Sequence, residues 1–198
     1  SFVKALGAIV GTHQPCDALA LEIDGTEYFA VSYPHQGCIK LFQQSSQEQW
    51  PGDISYDRES LAFESKKIKP AEMACTGKEL LFLHWIMPLA RSGEIVVMET
   101  SSIPFKPLRT LDTQFPIITD ICVLPALRGD SLVICSVSNR GVYAIDISGN
   151  CYWRFGRDEI ANIVAGGVCS DGRGHVYVAD KENHVVHVLW HDGKVSNH

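Results

Sequence analysis

The chain has 198 residues, 45 % of them hydrophobic and 20 % charged, the make-up of one water-soluble folded domain with a substantial core. A formal net charge of −6 disfavours a phosphate-backbone partner, because nucleic-acid binders present a basic face; Lys66, Lys67 and Lys69 form the one dense basic cluster. Seven cysteines, an odd number, exclude a fully paired disulfide framework, and no apolar run is long enough for a membrane span or a signal peptide.

In chain order, the first β run is residues 2–6. Residues 16–42 follow as a pair of β runs joined by a short polar turn and continued past a turn at 33–37. Residues 43–69 are the least regular stretch, polar and carrying Pro51-Gly52; they are expected to form an extended loop around one outer strand at 61–63. Residues 71–99 repeat the double β run with a longer central turn at 85–93. A third copy spans 119–150 and a fourth 166–194. Further outer strands are expected at 105–111 and 151–155. No segment shows a long helical period.

Self-similarity at a spacing near fifty residues is the mark of a repeat architecture, and four-stranded propeller blades repeat at roughly 40 to 50 residues. The units begin near Asp17, Glu72, Asp120 and Gly167. Ser32, Ser136, Asp180 and His84 are expected to occupy one equivalent place in the four units. The reading is therefore an all-β, single-domain β-propeller with blades at about 12–65, 66–113, 114–160 and 161–198. The last blade would be completed by the N-terminal strand 2–6, which would remove an unpaired edge. A closed four-bladed ring and part of a larger ring both fit. The chain opens on Ser1, so it is expected to be an excised part of something longer.

Residues 171–194 resemble the NHL repeat. The matching positions are Tyr177, Val178, Ala179, Asp180, Asn183, His184, Val186, Val188, Asp192, Gly193 and Lys194, with Val185 standing where that family usually carries Arg. The resemblance is specific over about one repeat and architectural elsewhere. It implies a propeller. It also implies the roles such propellers play: recruitment of substrates in tripartite-motif ubiquitin ligases, RNA binding in some relatives, and enzymes such as a zinc-dependent amidating lyase and lactonases. No RING-type Cys/His cluster is present, so ligase chemistry has no seat in this chain.

Two groups of residues are candidate sites. Asp17, Glu72 and Asp120 precede the innermost strand of three units, with Gly167 in the fourth. Inner strands line a propeller's channel, so three carboxylates at one mouth would attract a cation or a basic peptide. The plainer reading is that each bonds nearby backbone amides. The second group is the apolar insertion with Trp85, Ile86, Met87, Leu89 and Arg91, which either covers the core or makes a contact patch. Trp153 and Trp190 are expected to pack between blades. Among His35, His84, His175, His184, His187 and His191, the close group 184/187/191 has a helical spacing that a strand splits between two faces, so no metal or cofactor is expected. No nucleophile, Walker or HExxH motif occurs. Cys75, Cys122, Cys135 and Cys169 lie in apolar runs and are expected to be buried, which with the absence of CxxC pairs points to a reducing, cytoplasmic setting. The expected function is a binding scaffold for a protein or peptide, a basic one if the channel mouth is used. It would serve as the substrate-recognition part of a larger protein such as a ubiquitin ligase. A metal-dependent lyase or lactonase and an RNA-binding domain are the alternatives, with RNA disfavoured by charge.

Overall fold

The computed structural model describes residues 15–44, 56–65, 67–86, 90–125, 130–156, 160 and 163–196; among them the chain forms fifteen β-strands and no helix. The expected first strand at 2–6 lies outside the described residues. Four antiparallel sheets arise in chain order as the blades of a β-propeller. The first holds β1 (Ala18–Ile23), β2 (Thr26–Tyr33), β3 (Cys38–Gln44) and β4 (Tyr56–Glu64). The second holds β5 (Pro70–Cys75), β6 (Glu79–Ile86), β7 (Ala90–Glu99) and β8 (Lys106–Asp112). The third holds β9 (Ile118–Leu124), β10 (Leu132–Val137), β11 (Gly141–Ile145) and β12 (Cys151–Gly156). The fourth holds β13 (Ala165–Ser170), β14 (His175–Asp180) and β15 (Val185–Trp190), with an isolated bridge from Leu189 to Val195 on its outer edge. The three expected outer strands thus appear as β4, β8 and β12.

Local chemistry accounts for the meander. Strands are rich in β-branched and aromatic residues, and β14 alternates half-buried and buried positions along its length, the period of a two-faced sheet. Asp24 and Gly25 join β1 to β2 with φ of 50° and 74°, the left-handed pair that a two-residue hairpin requires. Successive sheets bury their facing apolar surfaces against one another. One core cluster joins sheets one and two through Ile39, Leu41, Phe82 and Met98; a second joins two and three through Leu83, Val97, Ile118 and Cys135; a third joins three and four through Ile134, Phe155, Val176 and Leu189. Below, the face of a sheet toward its successor in the chain is called forward and the opposite face rear.

A recurring irregularity sets the register. The pairing shifts at the start of β5, β9 and β13, where the inner strand carries one extra residue. In the first sheet the amide of Cys16 and the carbonyl of Asp17 both bond Ser32, the same two-against-one arrangement. This bulge makes Asp17, Glu72, Asp120 and Gly167 equivalent positions. It also corrects one expectation. Ser32 and Ser136 are equivalent to each other, but their counterparts in sheets two and four are Leu83 and Ala179; His84 and Asp180 lie one residue further along. A one-residue slip moves a side chain to the other face, so His84 and Asp180 point rearward where the two serines point forward.

Candidate functional site

The bulges carry the recurrent acids into the seams between blades. Asp17 Oδ2 accepts the amide of Met73 on β5 at 2.7 Å while its Oδ1 accepts that of Ala18 at 2.8 Å. Asp120 repeats the arrangement one pair of blades later: Oδ2 accepts the Val168 amide on β13 at 2.8 Å and Oδ1 the Ile121 amide at 2.9 Å. Burial pushes the Asp17 carboxyl above its ordinary value, and the amides of Met73 and Ala18 offset only part of this. Glu72 Oε1 lies 3.7 Å from the Cys16 thiol that donates to it. Gly167 has no side chain, and a Cβ built there would sit 3.5 Å from Asp120 Oδ2. The equivalent acids therefore fasten neighbouring inner strands to one another, sheet one to two and sheet three to four.

The apolar insertion is a β-hairpin. After a register shift between Leu83 and Trp85, β6 and β7 stay paired through Trp85 with Arg91 and Ile86 with Ala90. Met87 and Leu89 lie outside the described residues. In sheets one, three and four the corresponding strands stop pairing at Tyr33, Val137 and Asp180. The second hairpin thus runs on past the turns of the other three. Its base is braced by His84, whose Nδ1 lies 3.3 Å from Glu94 Oε2 and whose Nε2 lies 3.2 Å from the carbonyl of Lys67.

Asp180, equivalent to His84, organises the fourth sheet in the same way. Its side chain is fully buried. Oδ1 accepts the amides of Val164, Glu182 and Asn183 at 3.2, 3.2 and 3.3 Å; Oδ2 accepts Asn183 Nδ2 at 2.7 Å and faces His187 Nε2 at 3.1 Å. Burial pushes the carboxyl up, but these donors outweigh it and hold the group well below the usual carboxylate range. His184 takes φ of 55° at the end of the turn, and the His187 ring meets Phe155 of sheet three edge-on at 5.3 Å between centroids. Among the described residues no three His, Cys, Asp or Glu side chains converge as a metal ion requires.

A family model of the NHL repeat matches residues 164–189, the span that contains this network. The fourth blade is an NHL repeat. Comparison with curated proteins finds no match to the chain. Among solved structures, the crystal structure of Myxococcus xanthus glutaminyl cyclase is similar at 16 % identity with a TM-score of 0.52, covering 89 % of this chain and 66 % of that one. A crystal structure of BBS1N in complex with ARL6DN, soaked with lead, is similar at 10 % identity with a TM-score of 0.56, covering 96 % and 57 %. At such identities the likeness is one of fold, and the chain spans less than two thirds of either structure's own length.

The NHL blade also holds a surface cluster that the sequence did not single out. Asp171 Oδ2 lies 2.7 Å from His175 Nδ1 and accepts the Tyr177 hydroxyl at 3.3 Å, while the Trp190 ring packs at a tilt against His175, 4.3 Å between centroids. Partial desolvation pushes the Asp171 carboxyl up, but the His175 ring and the amides of Arg173 and His175 prevail and hold it at about 2. The signal was available: Asp171 and His175 flank the Gly172–Gly174 turn, whose tightness brings positions four apart together. Trp153 packs between blades as expected, its Nε1 donating to the carbonyl of His191 at 2.8 Å and its ring covering Gly193. Trp190 does not; it lies on the forward face of the NHL blade, partly exposed. Cys169 is exposed on that same face, contrary to its apolar surroundings in sequence, whereas Cys135 is buried and Cys75 and Cys122 are half-buried. Burial pushes the Cys122 and Cys135 thiols well up, which makes them poor nucleophiles. Replacing Trp153 by Phe keeps the packing and removes one hydrogen bond, so chemical denaturation is expected to show a loss of about 1 kcal/mol.

Proposed function

We propose that this propeller is a protein- or peptide-binding scaffold whose recognition element is the β6–β7 hairpin. The observation that supports it is the continued pairing of Trp85 with Arg91 and Ile86 with Ala90, which carries the hairpin beyond the level where the other blades turn. A hairpin extended in this way presents residues to a partner on a rigid support, and His84 holds its base between Glu94 and Lys67. Trp and Arg are the side chains that most often anchor such contacts. A propeller of similar fold has been solved in complex with another protein. All seven cysteines are free thiols, which supports a reducing, cytoplasmic setting. Within a larger protein such as a ubiquitin ligase, a scaffold of this kind selects the substrate.

The acidic positions rank second as a contact surface, because Asp17 and Asp120 already use both carboxylate oxygens on backbone amides. The test replaces residues 85–93 by a turn as short as that of sheet three. The trimmed protein is expected to keep the parent's far-ultraviolet spectrum and melting temperature and to lose the partner that the intact domain captures. Equal capture by the trimmed protein removes the hairpin from the reading. Loss of capture on neutralising Asp17, Glu72 and Asp120 in a still-folded protein would move the contact to the inner strands.

A further inference from the structure

The ladder that joins β6 to β7 is interrupted once. Leu83 pairs with Ile95 and the next pair is Trp85 with Arg91, so His84 alone stands opposite residues 92–94. Such a gap disrupts the ladder locally and weakens the coupling of the pairs beyond it to the pairs below. A side chain spans it. His84 Nδ1 lies 3.3 Å from Glu94 Oε2 across the gap, and Nε2 lies 3.2 Å from the carbonyl of Lys67 in the link between β4 and β5. Both partners are acceptors. A neutral imidazole carries one N–H and donates to one of them; the doubly protonated ring donates to both. In the neutral ring the bare nitrogen is left facing an oxygen lone pair.

We propose that His84 is a pH-sensitive clasp at the root of the β6–β7 hairpin. The charged ring holds Glu94 on one side and the β4–β5 link on the other. The neutral ring releases one of them, and the outer pairs Trp85–Arg91 and Ile86–Ala90 loosen. An imidazole changes charge between about pH 5 and 8, so the hairpin is firm at the acid end of that range and looser as the pH rises. For its consequence the clasp rests on the reading of the hairpin as the recognition element, and it supplies that element's regulation. The surrounding charge supports it. Glu94 pairs directly with Asp112 of β8, and paired residues share a face, so two carboxylates stand on the ring's side of the sheet. Among the described residues, the other titratable groups on the elements around the ring are Glu72 of β5, Lys67 and Lys69 of the link, Glu64 at the end of β4, His35 in the turn after β2 and Asp17 ahead of β1. Glu72 faces the Cys16 thiol, Asp17 accepts the amides of Ala18 and Met73, and Lys69 places its ammonium beside Gly37. Glu94 is in ion-pair contact with the ring. The Glu94 side chain is 50 % exposed and that of His84 20 %, so water screens the pair and the clasp has the strength of a single hydrogen bond.

Amide hydrogen exchange of the whole chain reads the hairpin directly, with no partner present. After correction for intrinsic exchange, the amides of the Trp85–Arg91 and Ile86–Ala90 pairs are expected to be about fivefold better protected at about pH 5.5 than at about pH 7.5. Those of the Leu80–Met98 and Leu81–Val97 pairs, below the gap, are expected to stay level. His84→Gln, whose side chain does not titrate, is expected to give equal protection at both pH values. His35→Gln, at an exposed histidine of sheet one, is expected to keep the parent's dependence. Far-ultraviolet spectra report that both variants fold, and the comparison within the parent needs neither. Equal protection of the parent's hairpin at both pH values overturns the proposal. So does a dependence that survives His84→Gln, or one that His35→Gln abolishes as well. Exchange is read without a partner, so failure here leaves the capture experiment on the trimmed protein standing, and failure of that experiment leaves the clasp standing.

Discussion

Replacing Asp180 by alanine is expected to destabilise the protein by about 3 kcal/mol and to lower its melting temperature by roughly 10 °C. The carboxylate is fully buried and gathers three amides, the Asn183 side chain and His187. Its removal leaves the Val164 amide and the His187 ring without their acceptor, at the point where the chain enters the fourth blade and where His187 meets Phe155 of the third. The effect has a pH signature. The carboxyl is held below its ordinary value in the folded protein, so its contribution is complete above the unfolded value of about 3.9 and fades as the pH falls through the folded one. The gap between parent and Asp180→Ala in urea unfolding is therefore expected to narrow in strong acid. Asp17 carries the opposite sign. Its carboxyl is raised, so its contribution is present in acid and is lost as the pH rises through its folded value. Asp17→Asn keeps an acceptor for the Met73 amide and is expected to remove that dependence.

The second large effect is expected at Phe82. The side chain is fully buried on the central strand of sheet two and packs with its ring centroid 5.7 Å from that of Phe63, across the seam to sheet one. Phe82→Ala opens a cavity between two sheets whose backbones are each fixed by hydrogen bonds, so collapse is limited and the expected cost is about 4 kcal/mol. Denaturant midpoints measure it. Tyr152→Ala, which removes an exposed aromatic ring of β12, is the matched control and is expected to change stability by about 0.5 kcal/mol or less.

Much of the fold was legible because the repeat exposes its own periodicity. The alternation in β14, the Asp24-Gly25 turn and the outer strands β4, β8 and β12 follow from local pattern and turn chemistry. What escaped was the fate of side chains at a bulge. A single extra residue at the head of each inner strand is invisible in hydrophobic pattern, yet it decides that Asp180 and His84 face rearward. The acids at 17 and 120 were recognisable as a set. Their engagement with amides one blade away depends on which sheets adjoin, a long-range property that composition does not carry. The exposure of Cys169 and Trp190 has the same origin: both lie in runs as apolar as any in the core, and their exposure is set by which described sheets adjoin that face and not by local pattern.

The bulge positions also divide the chain into two kinds of unit. Sheets one and three offer a carboxylate and a serine at neighbouring places, whereas sheets two and four offer the amide that donates to that carboxylate and a polar residue, His84 or Asp180, that holds their own hairpin. An odd sheet is thus complementary to an even one and not to another odd one. Lengthening, shortening or recombining this protein should respect that grammar: the module that can be transplanted with its joints intact is a couplet of blades, cut ahead of Cys16 or in the link between Asp112 of β8 and Ile118 of β9.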